Sequence, residues 1–135
     1  MENNYISMKN INKSFGKVVA NKNINLTVGQ GEIHALLGEN GSGKSTLMNM
    51  LSGVYTPDSG SIFIKGEEVQ FAAPKDAIKA GIGMIYQHFK LIDVMTAKEN
   101  IILGQKNRFF LNEKELTDKV RNMSVRFGLD IDLDK

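Results

Sequence analysis

The sequence predicts an α/β core with a helical segment attached, and three observations carry that prediction. Short apolar runs of strand length alternate with helical patterns through the first 87 residues. One of these runs, "EIHALLG", ends in a glycine-rich loop and gives way at once to helical spacing. Past Gln87 the pattern becomes helical, with capping signals and one long apolar stripe. The expected division is therefore a core over 1–87 and a helical segment over 88–135.

Taken in order, "YISMKNI" (Tyr5 to Ile11) alternates weakly, and "INLTV" puts Ile24, Leu26 and Val28 on one strand face. Gly16 supplies a turn between them, and "VGQGE" marks another. "EIHALLG", Glu32 to Gly38, predicts a strand buried on both faces, with His34 as a satisfied core histidine. Leu47, Met50, Leu51 and Val54 recur at helical spacing, so a helix starts inside the glycine loop and ends near Gly53. "TPDSG" is a turn, and "SIFIKGEEVQF" reads as strand, turn at Gly66 and short strand. Pro74 and Gly81 bracket a short helix, and "IGMIYQ" (Ile82 to Gln87) reads as another strand. Thr96 and Glu99 have the spacing of a capping box. In the last helix Asn112 is the expected N-cap and Gly128 the C-cap, and Leu116, Val120, Met123 and Phe127 form a packing stripe. The carboxylates of "LDIDLDK" (Asp130, Asp132, Asp134) read as a solvated tail.

Composition narrows the function. There are no cysteines, which excludes disulfides, thiolate metal sites and cysteine nucleophiles. The 17 basic and 15 acidic residues are interspersed, so no basic stripe points to nucleic acid. The opening residues lack the apolar core of a signal peptide, and no apolar run approaches the roughly 20 residues that span a bilayer. The chain is expected to be soluble and cytosolic, meeting a membrane only through a partner.

The strongest signal is Gly38-x-x-x-x-Gly43-Lys44-Ser45, inside "GENGSGKST". It fits the phosphate-loop pattern at every fixed position, between an apolar strand and a helix. Glycines let the backbone fold into a nest of N–H groups, and the helix adds its positive N-terminal dipole. Asn40, Gly41, Ser42, Gly43, Lys44, Ser45 and Thr46 are the expected nucleotide contacts. Lys44 reaches the β- and γ-phosphates and the Ser45 hydroxyl meets Mg²⁺. The motif by itself leaves GTPases, kinases and motor ATPases open.

The stretch from "INKSFGKVVANKNINLTVGQGEIHALLGENGSGKSTLMNMLSGVYTPDSGSIFIKGEEV" through "GIGMIYQHFKLIDVMTAKENIILG" resembles the ATP-binding cassette (ABC) transporter ATPases. It looks most like the subunits that serve simple-sugar and nucleoside importers. The resemblance runs from about Tyr5 to Gly104. It implies a P-loop NTPase core with antiparallel strands in its N-terminal part and the start of an α-helical subdomain. It places Phe15 where the family has an aromatic that stacks on adenine, beside Ala20, the competing reading being a core aromatic near a turn. Gln87 falls where the family has a glutamine that ligands Mg²⁺ or positions water and relays nucleotide state. His88 reads as a surface or partner-contact residue, and Phe109 and Phe110 as partner-facing. The implied cofactors are ATP and Mg²⁺. The implied partners are transmembrane permease subunits, a second ATPase domain and, indirectly, an extracytoplasmic solute-binding protein, all organised at the cytoplasmic membrane face.

"LSGVYTPDSG" resembles the opening of the family's signature motif, but Val54 stands where a glycine is needed. No acidic pair follows an apolar strand to supply a catalytic carboxylate, and the family's switch histidine is absent. The expectation is an incomplete domain, ending before the signature, with apolar edges exposed. Three readings follow: an import ATPase subunit carrying its gripping half here, a binding-only module, or an ABC-type ATPase acting on ribosomes or DNA.

Overall fold

The computed structural model describes residues 4–87, 91–103, 113–129 and 132–133. The chain divides into two compact units, Met1–Ile85 and Tyr86–Lys135. In the first, four antiparallel strands lie in the order β2-β1-β3-β4. They are β1 (Asn4–Phe15), β2 (Val18–Gly29), β3 (Ser59–Ile64) and β4 (Glu67–Val69). Both opening strands run longer than their apolar alternation because bulges interrupt the period. Register shifts fall between Met8 and Ile11 and between Ile11 and Lys13. Asn10 and Asn23 there take φ of 53° and 50°, a region asparagine tolerates better than most residues. Neighbouring amides pin the distortion. Asn25 Oδ1 accepts from the Asn10 N–H at 2.9 Å, and Asn12 Oδ1 from the Asn23 N–H at 2.8 Å.

Helix α1 (Lys44–Leu51) covers one face of this sheet. Its Leu47, Met50 and Leu51 pack with Met8, Ile11, Ile62 and Ile64 from the strands. Phe71 and Ala77, the latter from α2 (Pro74–Lys79), complete the core. Ile24 and Leu26 pack at its margin, as their alternation predicted. Pro74 opens α2, while the Asp76 carboxylate accepts from the Ala73 N–H at 3.2 Å. Val54 lies beyond α1 and is exposed, so the helical stripe closes one turn earlier than its spacing suggested.

Two expected strands do not form. Residues 32–38 and 82–86 have no ladder partner among the described residues, so "EIHALLG" is not a strand buried on both faces. Ile33 is 100% exposed and Ile85 96%. Only Leu36 and Ile82 reach the core. The physical reason is that an extended run becomes a strand only when another backbone pairs with it. His34 is accordingly not a core residue. It stands half in solvent, with Nδ1 2.8 Å from Glu32 Oε1.

Asp58, in the turn after α1, fastens the far end of β1. Its Oδ1 lies 2.7 Å from Lys13 Nζ, and its Oδ2 accepts from the Ser14 N–H at 2.7 Å. The Lys13 bond first, and then the Ser14 N–H, hold its carboxyl below the ordinary 3.8. A depressed folded pKa contributes stability above the unfolded value and loses it as pH falls through the folded one. The melting-temperature gap between wild type and Asp58→Asn should thus be constant from about pH 7 to 5 and close below the ordinary 3.8. A gap that survives full protonation would contradict the clamp.

The second unit contains α3 (Ala97–Ile102) and α4 (Glu113–Arg126). Thr96 and Glu99 form the expected capping box. Asn100 staples the preceding loop. Its Nδ2 donates to the carbonyls of Ile92, Met95 and Thr96, each at 3.1 Å, and its Oδ1 accepts from the Ile92 N–H. At the end of α4, Gly128 has φ 66° and donates to Val125, while the Leu129 N–H reaches Ser124. That pair of bonds is the expected glycine C-cap in its Schellman form. The expected N-cap Asn112 and the side chain of Leu116 lie outside the described residues. Val120 is buried and Met123 half-buried, but Phe127 is 65% exposed, because it follows the helix and turns off its stripe. The tail departs from a purely solvated reading. Asp132 is exposed, but Leu133 is buried with Ile102 and Val120. Asp130 and Asp134 fall outside the described residues.

Candidate functional site

The glycine loop is built from its lysine inward. Lys44 begins α1, and its ammonium turns back over the loop. Nζ donates to the Gly38 and Glu39 carbonyls, both at 2.6 Å, and to Ser42 Oγ at 3.2 Å. The Ser42 N–H donates to the Glu39 carbonyl at 3.2 Å, closing the loop as a turn. Lysine thus fixes the curvature of a segment that has little side-chain mass to do so. Gly41 takes φ 84° with open space where a Cβ would stand. Asn40, Gly41, Ser42 and Ser45 face solvent, while Gly43, Lys44 and Thr46 are half-buried.

The N-cap of α1 is Gly43, at φ 85° and ψ 4°, and no side chain caps the helix. The first-turn N–H groups of a helix have no intrahelical acceptor, so they are open to an anion here. No acidic residue stands in that first turn to compete with one. The arrangement offers backbone donors, a helix dipole and one ammonium to the same small space, which is the chemistry of a phosphate cradle.

Behind the loop, β2 approaches as closely as glycine permits. A Cβ on Gly43 would lie 2.2 Å from the Ala20 carbonyl oxygen and 2.8 Å from Asn21 Nδ2. The Asn21 amide donates to the Gly43 carbonyl at 3.3 Å. Ala20 is thereby placed against the loop. Phe15 stands at the β1–β2 turn, 44% exposed, and is not a core aromatic. Its ring meets Tyr55 edge-on with centroids 5.1 Å apart, and Lys13 Nζ lies 5.5 Å from its centroid. Gln87 is an exposed bend residue of the second unit. His88, Phe109 and Phe110 lie outside the described residues.

Magnesium in such a site is held mainly by phosphate oxygens, water and one hydroxyl, not by an all-protein cage. The residues present fit that requirement. The exposed Ser45 follows Lys44 in the first turn of α1, and the described residues contain no cluster of acidic or histidine ligands that would suggest another metal site. The sequence reading missed Asn21, Tyr55 and Asp58. Each acts across 22 or more positions, a separation no local pattern encodes.

Comparison with known proteins agrees with this geometry. The sequence model of the ABC transporter family matches residues 21–134. The chain is 52% identical over 128 residues to the guanosine import ATP-binding protein NupO of Bacillus subtilis, covering 93% of this chain and 25% of that protein. It is 54% identical over 125 residues to the ribose import ATP-binding protein RbsA of Yersinia pestis, covering 91% and 25%. The chain therefore spans about a quarter of the length of these relatives. Among solved structures, a nucleotide-free ATP-binding cassette from an ABC transporter superposes with a TM-score of 0.82 at 24% identity, over 98% of this chain and 57% of that one. A dimeric ATP-binding cassette in a post-hydrolysis state bound to ADP and phosphate gives 0.74 at 28% identity, over 96% and 60%. With a family match across most of its length and a phosphate loop folded to suit, the chain belongs to the ABC transporter family.

Proposed function

We propose that this chain is the nucleotide-gripping part of an ATP-binding subunit that couples ATP binding and hydrolysis to import of a sugar or nucleoside through a membrane permease. The observation that carries the proposal is the uncapped N-terminus of α1 with Lys44 folded over the loop before it. The import ATP-binding proteins it is similar to favour the solute class.

In this reading the N–H groups of Gly41 to Ser45 hold the phosphates. Lys44 leaves the Gly38 and Glu39 carbonyls to meet the β- and γ-oxygens. Asn40, Ser42 and Thr46 line the same cradle. Adenine rests on Phe15 with Ala20 alongside, since an exposed flat ring stacks on any base without reading its edge. Mg²⁺ on Ser45, with Gln87 as a further ligand or water-positioning group, would neutralise charge on the β- and γ-phosphates. Gln87 would relay nucleotide state to the permease. The subunit would pair with a second ATPase domain and dock on transmembrane permease subunits fed by an extracytoplasmic solute-binding protein. That assembly places it at the cytoplasmic face of the membrane. No helix among the described residues is long and apolar enough to cross a membrane itself.

A second reading is favoured by one feature. The loop and the first turn of α1 offer phosphate donors, while no acidic pair follows an apolar run in the sequence to supply a water-activating carboxylate. Taken by itself, this chain then binds ATP without turning it over. Phosphate release by the purified chain, compared with Lys44→Ala, separates the two readings. Equal rates in both, with ATP still bound by wild type, identify a binding module. A faster wild type identifies an ATPase within these 135 residues.

A further inference from the structure

Asn21 is an awkward residue for its position. It is 4% exposed, it sits in a β-strand, and its Oδ1 is buried with no donor among the described residues. Asparagine is disfavoured in strands, and a buried acceptor without a partner costs free energy that an apolar side chain of similar volume would not. For stability alone, leucine would serve better. What Asn21 supplies is its other end, since Nδ2 donates to the Gly43 carbonyl.

That carbonyl belongs to the peptide whose N–H is that of Lys44. A peptide group is planar and trans, so fixing the direction of the C=O fixes the N–H on the opposite side. The Leu47 N–H already holds the same oxygen at 2.9 Å. Asn21 adds a second donor from outside the helix. The contact distances leave the peptide little room to turn, because Ala20 and Asn21 back directly onto Gly43. Local rules broken without a gain in stability mark a residue kept for a site.

We propose that Asn21 is a positioning residue that locks the Gly43–Lys44 peptide, aiming the Lys44 N–H at a bound phosphate and tying the strand that carries Ala20 to the phosphate cradle. The inference rests on the nucleotide reading above. It deepens that reading by assigning a residue outside the loop motif to phosphate affinity.

The test is displacement of a fluorescent ATP analogue from the 135-residue chain by ATP, by inorganic tripolyphosphate and by adenosine. Wild type and Asn21→Leu are compared, with melting temperatures recorded for both. The lock predicts that Asn21→Leu melts at or above the wild-type temperature, yet binds ATP and tripolyphosphate about fivefold more weakly, the scale of one neutral hydrogen bond. Adenosine affinity should stay unchanged. Should Asn21→Leu fail to fold, Asn21→Ala is expected to give the same selective loss. Variants that bind tripolyphosphate as wild type does, or that lose adenosine in equal measure, overturn the inference while leaving the nucleotide reading intact. A wild-type chain that binds neither ATP nor tripolyphosphate overturns both.

Discussion

Gly43→Ala is expected to abolish ATP binding and to destabilise the first unit by about 3 kcal/mol or more. Two independent costs meet at this residue. Its φ of 85° is unfavourable for any side chain with a Cβ. The added methyl would also stand 2.2 Å from the Ala20 carbonyl oxygen, a backbone atom that cannot swing aside. Relief requires β2 and α1 to separate, which opens the core around Leu47 and Met50. Gly41→Ala provides the contrast, because its φ of 84° is equally unfavourable but its Cβ would meet open space. Thermal unfolding of the two variants side by side should show the larger loss at Gly43. Equal losses would mean that the contact with β2 contributes nothing.

Lys44→Ala is expected to lower triphosphate affinity at least hundredfold, about 2.7 kcal/mol, while lowering stability only modestly. The asymmetry follows from where the ammonium is. Its bonds to Gly38, Glu39 and Ser42 are solvent-exposed, and exposed charge contributes little to folding. Facing the β- and γ-phosphates in the proposed complex, the same group would form charge-assisted bonds to an anion drawn in by backbone donors. Lys44→Arg should recover little of the affinity, since a planar guanidinium cannot curl over the loop as a compact ammonium does. Calorimetric titration with ATP measures both variants. A Lys44→Ala chain retaining wild-type affinity would remove Lys44 from the site.

Much of this is legible in the sequence, and the exceptions turn on long-range partners, absent where a run expects one or present where none is expected. Ile24, Leu26, Leu47, Met50 and Leu51 reported their burial through period alone, because strand and helix geometry turn spacing directly into a face. Thr96 with Glu99 and the phosphate loop were equally readable, since capping and phosphate cradling are settled within a few residues. "EIHALLG" and "IGMIYQ" have strand composition without forming strands, because composition states a readiness to pair, not the presence of a partner. His34 shares the fate of its run, with Glu32 and solvent as its surroundings instead of a core. Leu133 stands among acidic neighbours that suggest a solvated tail, yet it is buried with Ile102 and Val120. Asn21 and Asp58 were invisible for the opposite reason. Each looks like an ordinary polar residue until the fold carries it to Gly43 or to Lys13.

Whether the backbone from Gly41 to Ser45 grips the phosphates of ATP can be read residue by residue in amide nuclear magnetic resonance spectra of the chain titrated with ATP and Mg²⁺. The largest shifts should fall on the N–H groups of Gly41, Gly43, Lys44 and Ser45, tripolyphosphate alone should reproduce them, and Lys44→Ala should remove them. Saturable shifts centred elsewhere, with these amides unmoved, would contradict it.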